Sequence, residues 1–287
     1  TATTEIYTLS LHDAFRSMLL VTESAPSDKR GWYGAYAQAG APMGVILANL
    51  AFIGVSSSMS DEAFMDWGWR LPFIASIVLI GISMYIQLKI EDTEAFRSLS
   101  DAQSADDKPA AAVERSPVVE AIRKYPKRIM LAAGAFLSVQ VTFYILIAFV
   151  IAYGMNSPSV ELSRDTMLTA VLVAAAIMVP TQFYFSGLSD RVGRKNVYRW
   201  GAILTGVWGF ILFPLIDTGD PVMIGFAITM GLLFLGMQYG PQAAYFTELF
   251  STEVRYSGAS LGYQIGAILG GALAPTIAVL LWNEFGI

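Results

Sequence analysis

The sequence predicts an all-α protein that is embedded in a lipid bilayer through about seven transmembrane helices. Of its 287 residues, 55% are hydrophobic and only 14% are charged, whereas a soluble domain carries about 25% charged residues. Charged residues are absent from the middle of seven long apolar runs, each close to the ~20 residues that a helix needs to cross a hydrocarbon core of ~30 Å. A large soluble core would not remove charge from runs of that length.

The seven runs are the predicted transmembrane spans. They cover residues 32–55, 71–88, 129–153, 166–185, 197–216, 222–246 and 257–282. Pro42, Pro180 and Pro241 lie inside three of them, which membrane helices tolerate because neighbouring helices satisfy the freed backbone groups. Residues 18–21 are expected to end an earlier helix. The chain has no cysteine and one histidine, His12, which excludes disulfides, thiol catalysis and a His or Cys metal cluster.

The basic residues predict the orientation of the chain. Fifteen of the 18 Lys and Arg residues lie in connections on one side of the predicted spans, Arg70 and Arg164 lie on the other, and Arg16 lies in the atypical first 17 residues. Because cytoplasmic loops are enriched in Lys and Arg, we expect residues 22–31, 89–128, 187–199 and 247–256 to face the cytoplasm of a bacterial inner membrane.

The predicted domain organisation has four parts. Residues 1–17 are polar and atypical, and the alternatives are a foreign stretch and a short disordered tail. Residues 18–90 form part of an amino-terminal helical bundle, and residues 127–287 form a carboxy-terminal bundle. Residues 91–126 are polar and charged, and they are longer than the usual connection between helices, which predicts a cytoplasmic linker.

An internal repeat relates the two predicted bundles. Glu23 precedes Arg30 by seven residues, and Glu248 precedes Arg255 by the same interval. A glycine-rich apolar helix follows each pair, and the two helices share a pattern of one glutamine and two glycines at an offset of 226 residues: Gln38, Gly40 and Gly44 against Gln264, Gly266 and Gly270. Matches in the same order indicate two related halves, as in many transporters.

Residues 187–195 carry the strongest local pattern. Gly187 and Gly193 permit a tight turn between two spans, and the charged residues of the string are Asp190, Arg191, Arg194 and Lys195. Asp190 is suited to the amino end of a helix, where negative charge is favoured, and such a contact would act as a conformational latch. The alternative is a basic anchor loop with no switching role.

This string is similar to the signature loop of the major facilitator superfamily, which has Gly, three residues, Asp-Arg, one residue and Gly-Arg-Lys/Arg. Residues 22–34, 66–73 and 248–264 resemble its metabolite:proton symporter branch, whose members carry organic acids, shikimate-like compounds and zwitterionic osmolytes. The resemblance covers most of residues 18–282. It implies a partial major facilitator fold that contains family helices five to eleven from two bundles, with the last helix of the carboxy-terminal bundle missing. The chain is therefore expected to be a fragment that does not transport alone.

The resemblance also implies a function and partners. A full-length member is expected to be a secondary active transporter that moves a small organic solute with protons by alternating access. We expect it to act as a monomer in the bilayer, with no cofactor, metal ion or nucleic acid. The alternatives are a membrane-embedded enzyme, which would need clustered catalytic side chains, and a channel or receptor, which would usually show a filter or charged ring. None of these features is apparent in the sequence.

Polar residues inside the spans are the candidates for solute binding, because such residues are costly in a membrane. They are Gln38, Asn49, Gln140, Thr142, Tyr144, Gln182, Gln238, Tyr239, Gln242, Tyr263 and Gln264. The predicted binding residues are Gln38, Gln140, Tyr144, Gln238, Tyr239 and Gln264. Glutamine and tyrosine can donate to a carboxylate or hydroxyl, but the same residues also serve as hydrogen bonds between helices.

The predicted gate or latch residues lie at the basic ends of the spans. They are Glu23, Arg30, Gly187, Asp190, Arg191, Gly193, Arg194, Lys195, Glu248 and Arg255. No predicted span has an ionisable residue near its middle, so the proton site is expected in helices that this chain lacks.

Overall fold

The computed structural model describes Met18, Val21, Thr22 and residues 24–89, 117–158, 160–250 and 255–285. The predictions for residues 1–17, for Glu23 and for residues 91–116 of the linker lie outside this part of the chain. The side chain of Arg255 is likewise not described.

Every regular element in the described residues is helical. The α-helices are α1 (Arg30–Gln38), α2 (Gly40–Ser56), α3 (Asp61–Asp66), α4 (Leu71–Lys89), α5 (Pro117–Lys124), α6 (Pro126–Tyr144), α7 (Val150–Asn156), α8 (Arg164–Val192), α9 (Arg194–Ile216), α10 (Pro221–Glu248), α11 (Arg255–Ala267) and α12 (Leu273–Phe285). A short 3₁₀ helix, Gly68–Arg70, precedes α4, and π-helical turns at Ile145–Phe149 and Ile268–Ala272 join α6 to α7 and α11 to α12.

Seven helical stretches of the described residues are long and apolar enough to cross a bilayer. They are Arg30–Ser56, Gly68–Tyr85, Pro126–Asn156, Arg164–Val192, Arg194–Ile216, Pro221–Glu248 and Ser257–Glu284. This confirms the predicted all-α membrane fold. Pro117–Lys124 adds a short helix within the predicted linker.

The first span is interrupted between α1 and α2. Pro42 has no backbone N–H for the carbonyl of Gln38 four residues earlier, and such a residue breaks the helical ladder. The helix accordingly stops at Gln38 and resumes at Gly40, although the amide of Ala39 still reaches the carbonyl of Ala35 at 2.8 Å. Ala39 itself keeps right-handed helical dihedrals (φ −64°, ψ −18°), so the first span lacks one backbone hydrogen bond about one third of the way along.

Residues 187–195 are mostly helical rather than a loop between two spans. Residues up to Val192 belong to the last turns of α8, and α9 starts at Arg194, so that Gly193 alone connects the two helices. Gly193 has φ +92°, a left-handed conformation that glycine adopts without steric cost. This single-residue turn gives Asp190 and Arg194 fixed positions at the ends of two rigid helices.

The chain divides into two compact units, Thr1–Asn49 with Pro117–Ile287, and Leu50–Ser116. In the second unit, the end of α2 joins α3, the 3₁₀ helix and α4 in a small group of aromatic contacts, such as that of Phe52 in α2 with Phe73 in α4 at 6.0 Å between ring centroids. Trp67 and Trp69 are both partly exposed there, as expected for residues at a membrane boundary.

The larger unit is organised around α10. This helix packs against α8 and α9, and α1 packs against both α8 and α10. Elsewhere in the unit, α11 and the π-helical turn that follows it pack closely on α6. A Cβ atom at Gly266 would lie 2.8 Å from the Ala133 carbonyl oxygen, and one at Gly270 would lie 2.7 Å from Gln140 Cβ. The glycines thus provide the close helix packing that small residues permit in membranes.

Candidate functional site

A cavity of about 450 Å³ lies inside the larger unit, between α1, the start of α2, α6, α10 and α11. This volume is in the usual range for a small-molecule site, roughly 300–1,000 Å³. Its lining consists of Met18, Ala37, Gln38, Gly40, Ala41, Phe136, Gln140, Phe143, Tyr144, Tyr239, Ser260, Tyr263, Gln264 and Ala267. None of these described lining residues carries a formal charge.

Five of the six predicted binding residues line this cavity. They are Gln38, Gln140, Tyr144, Tyr239 and Gln264, which come from four helices and are separated by more than 200 positions along the chain. The repeat pairs Gln38 with Gln264, and the structure brings both side chains to the same cavity.

Gln238 is the exception among the six, because it does not line the cavity. Its side chain is fully buried. Gln238 Oε1 accepts a hydrogen bond from Ser138 Oγ at 3.1 Å, and Gln238 Nε2 donates to Thr205 Oγ1 at 3.0 Å. Both ends of the amide are satisfied, so this residue joins α6, α10 and α9, which is the interhelical role that the sequence left open for it.

Several lining residues were not selected from the sequence. Tyr263 was one of the polar candidates but not one of the six, and Phe136 and Phe143 were not candidates at all. The spacing of Phe136, Gln140, Phe143 and Tyr144 along α6 is the signal that could have found the two phenylalanines, since residues three or four apart share one helix face. The cavity therefore has five aromatic rings beside its polar groups.

Tyr263 is the centre of a hydrogen-bond network at the cavity wall. Gln242 Nε2 donates to the Tyr263 hydroxyl at 2.7 Å, and Gln38 Nε2 lies 3.5 Å from the same oxygen. Gln38 Nε2 also donates to the Tyr239 carbonyl oxygen at 3.1 Å. The ring of Tyr263 lies 4.0 Å from that of Phe136, measured between centroids. These contacts link α1 to α10 and α11 directly beside the cavity.

A second cluster, which we call the latch, lies at the end of the unit where α8 meets α9. It consists of Gly31, Trp32, Asp190, Arg194 and Glu248. The Asp190 carboxylate accepts hydrogen bonds from the backbone N–H groups of Gly31 at 2.8 Å and Trp32 at 2.9 Å. These amides belong to the first turn of α1, where N–H groups lack helical partners and the helix dipole favours an anion.

Arg194 extends the latch to α10. Its Nη1 lies 2.7 Å from Asp190 Oδ1, and its Nε lies 2.7 Å from Glu248 Oε1. The Asp190 and Arg194 side chains are only 6% and 10% exposed, so solvent screens their pair less than it screens an ordinary surface pair. One guanidinium thereby connects the ends of α8, α9 and α10 to the start of α1.

The close approach of α1 to α8 depends on glycine. A Cβ atom at Gly31 would lie 2.6 Å from Arg194 Nη1 and 2.7 Å from the Ser186 carbonyl oxygen. A Cβ atom at Gly187 would lie 3.2 Å from the Trp32 ring, which also packs on Phe183 at 5.4 Å between centroids. A larger residue at position 31 would push the helix amides away from Asp190.

The other predicted latch residues have different positions. Arg191 and Lys195 are exposed and make no ion pair with another described residue. Arg30 is partly buried, and its Nε has no hydrogen-bond partner in the described part of the chain. The structure therefore pairs Glu248 with Arg194, which the repeat of acidic and basic residues did not indicate.

Seven bilayer-length helical stretches of the described residues and an uncharged cavity lined by polar and aromatic side chains are features of a polytopic membrane protein. Residues 17–275 match the sequence model of the Major Facilitator Superfamily. This match covers most of the chain, and the chain belongs to that superfamily.

Individual relatives support the same assignment. The chain is 33% identical over 277 residues to the inner membrane metabolite transport protein YhjE of Escherichia coli K12, covering 94% of this chain and 60% of that protein. It is 31% identical over 268 residues to the shikimate transporter of the same organism, covering 93% and 59%. Its identity to the E. coli proline/betaine transporter is 28% over 269 residues, covering 92% and 52%. The chain spans between half and two thirds of the length of the curated relatives it matches.

Proposed function

We propose that the full-length protein is a secondary active transporter of a small organic solute, and that the cavity between α1, α6, α10 and α11 forms part of its solute site. The observation that carries this proposal is the convergence of seven polar residues, five of them predicted from the sequence, on one uncharged cavity of about 450 Å³. Membership of the Major Facilitator Superfamily supports it. Transport would proceed by alternating access, in which helices rearrange around a site near the middle of the membrane.

The chemistry of the lining favours a solute with both polar and apolar surfaces. Glutamine amides and tyrosine hydroxyls donate hydrogen bonds to carboxylate and hydroxyl oxygens. The aromatic rings of Phe136, Phe143 and Tyr144 can cover a hydrocarbon ring or attract a quaternary ammonium through its positive charge. Shikimate-like acids and zwitterionic osmolytes both meet this description, and the names of two relatives include such compounds.

We extend the proposal to symport with protons. Coupling of this kind needs a group that changes its charge within the membrane. The described lining residues include no carboxylate and no histidine, so we place the titrating group outside this lining. Proton coupling is supported by the resemblance of residues 22–34 and 248–264 to metabolite:proton symporters.

The proposed orientation puts the latch on the cytoplasmic side of a bacterial inner membrane. The uneven distribution of basic residues supports this orientation, because 15 lie on the same side of the predicted spans as Asp190 and two lie on the opposite side. In this orientation the latch holds α1 against α8 and α10 and so favours closure towards the cytoplasm. Breaking the contacts of Asp190 would shift the population of states towards opening on that side.

Reconstitution of the full-length protein in proteoliposomes tests the proposal. We expect radiolabelled shikimate or glycine betaine to show counterflow, and an inward proton gradient to drive uptake above equilibrium. Counterflow with no effect of the proton gradient would retain a carrier and reject symport. Conductance without counterflow would indicate a channel instead, and counterflow of neither compound would reject both as substrates.

A further inference from the structure

We propose that α1 is a rigid connection between the cavity and the latch, and that Gln38 is the positioning residue that makes the latch sensitive to the contents of the cavity. The proposal rests on the transport function and latch proposed above and adds a route between them. The nine-residue helix α1 carries a latch contact in its first turn and a cavity-lining residue, Gln38, at its end.

Side-chain hydrogen bonds attach α1 to its neighbours at three successive heights. At the start of the helix, Asp190 accepts from the amides of Gly31 and Trp32. In the middle, Gln182 Nε2 donates to the Ala35 carbonyl oxygen at 3.1 Å. At the end, Gln38 Nε2 donates to the Tyr239 carbonyl oxygen. From Gly31 to Gln38 the helix rises by about 10 Å, so the attachments span its full length.

The helix is built to move as one body. Its backbone is regular from Arg30 to Gln38, and Pro42 cannot donate the next helical hydrogen bond to the Gln38 carbonyl oxygen. A change of orientation is therefore concentrated at Ala39, where this bond is missing, rather than distributed along α1. Hinges of this kind are formed by a few residues at element ends.

The middle attachment includes a polar atom without a partner. Gln182 Nε2 donates to α1, whereas Gln182 Oε1 is buried and has no hydrogen-bond partner among the described residues. A buried polar atom of this kind carries a desolvation cost. Water entering between α1 and α8 would relieve that cost, which offsets part of the loss of packing when α1 separates.

Gln38 makes the third attachment depend on what occupies the cavity. Its amide lies at the wall of the cavity and donates to Tyr239 and towards Tyr263. A solute carboxylate or hydroxyl that accepts from this amide competes with the Tyr239 carbonyl oxygen for the same donor. Loss of that bond removes one of the three attachments, and α1 then pivots at Ala39 and loosens its amides from Asp190.

The test measures latch opening without a ligand. Spin labels are attached at Ser27→Cys, just before α1, and at Val192→Cys, the last residue of α8, because both positions are exposed and this chain contains no cysteine. The full-length protein, with any cysteine elsewhere replaced, is placed in lipid nanodiscs. Electron–electron distance distributions then report the ratio of open to closed latch.

Gln38→Met removes the donors and retains the length of the side chain. We expect the ratio of open to closed molecules to rise about two- to tenfold, which corresponds to the loss of one net hydrogen bond. Gln182→Met, which removes the middle attachment, is expected to change the ratio in the same direction. The matched control is Gln264→Met, which removes a glutamine from the same cavity but from α11, and we expect it to leave the ratio unchanged.

Asp190→Asn separates the possible failures. If it opens the latch while Gln38→Met and Gln182→Met give the parent distribution, the connection through α1 is refuted and the latch is retained. If Asp190→Asn leaves the distribution unchanged, the latch is refuted and the connection with it. Equal opening by Gln264→Met and Gln38→Met would also overturn the proposal, because the effect would then arise from general loosening of the cavity.

Discussion

Replacement of Asp190 by asparagine is the most direct perturbation of the latch. The substitution preserves the size of the side chain and one carbonyl oxygen, but it removes the negative charge that faces two helix amides and Arg194. A charge-assisted hydrogen bond contributes ~1.5–3 kcal/mol, and a partly buried charge at a helix terminus contributes up to ~2 kcal/mol. Since asparagine can still accept one hydrogen bond, we expect the closed state to lose about 2 kcal/mol in total.

A loss of this size changes the ratio of closed to open molecules about 30-fold. A transport cycle must pass through the state that is closed towards the cytoplasm, so turnover is expected to fall by up to about 30-fold as that state becomes rare. The assay is counterflow in proteoliposomes, normalised to the amount of folded protein. Expression and chromatographic behaviour are expected to match those of the parent, because the substitution lies at a helix end and outside the apolar core.

The matched control for this experiment is Asp28→Asn. Asp28 lies in the segment that leads into α1 and is exposed, so its replacement makes the same change of net charge on the same side of the protein without touching the latch. Parent-like turnover is expected for this control. Unchanged turnover in Asp190→Asn, with the protein folded and present, would contradict the reasoning and leave residues 187–195 as an anchor for anionic lipids.

Three further substitutions test other contacts. Gly31→Ala places a methyl group against Arg194 Nη1 and the Ser186 carbonyl oxygen. We therefore expect the free energy of unfolding to fall by about 1–3 kcal/mol and counterflow to be slower. The control is Gly44→Ala, where no described atom would lie within 4 Å of the added Cβ, and it should match the parent in both measurements. Tyr263→Phe removes the acceptor of the buried Gln242 amide and should cost about 1–3 kcal/mol of stability and raise the KM for the solute; an unchanged KM would place Tyr263 outside the binding site. Gln238→Leu leaves the hydroxyls of its partners unpaired and should lower thermal stability with little effect on KM. Gln140→Leu should instead raise KM with little loss of stability. The reverse pattern would move the proposed site to Gln238.

The helices were the most predictable part of this protein. A bilayer requires each crossing segment to bury its backbone polar groups in a helix and to present apolar side chains along its whole length, and both requirements are visible in the sequence. The ends were less predictable because a hydropathy pattern reports apolarity and not backbone hydrogen bonding. The fourth span was predicted to end at Phe185, but α8 continues through the polar residues to Val192.

The sequence also indicated which residues could form the latch, and the structure decided how they pair. The preference of carboxylates for helix amino ends made Asp190 a candidate. The partner helix, however, lies more than 150 positions earlier in the chain, and only packing brings Gly31 and Trp32 to the carboxylate. The repeated spacing of Glu248 and Arg255 does not say which cation Glu248 pairs with, whereas in the structure the single-residue turn at Gly193 directs Arg194 to Glu248.

The sequence by itself determined that this chain crosses a membrane repeatedly and that the polar side chains near the middle of its spans are uncharged. Only the tertiary structure decided which of those residues face the cavity. Gln238 and Tyr239 are adjacent, yet one is clamped between Ser138 and Thr205 while the other lines the cavity. The physical reason is that neighbouring side chains on a helix are separated by a rotation of about 100°, so Gln238 and Tyr239 point in different directions. Because α10 packs against several helices and is largely apolar around its circumference, its sequence has no polar face that marks the direction of the site.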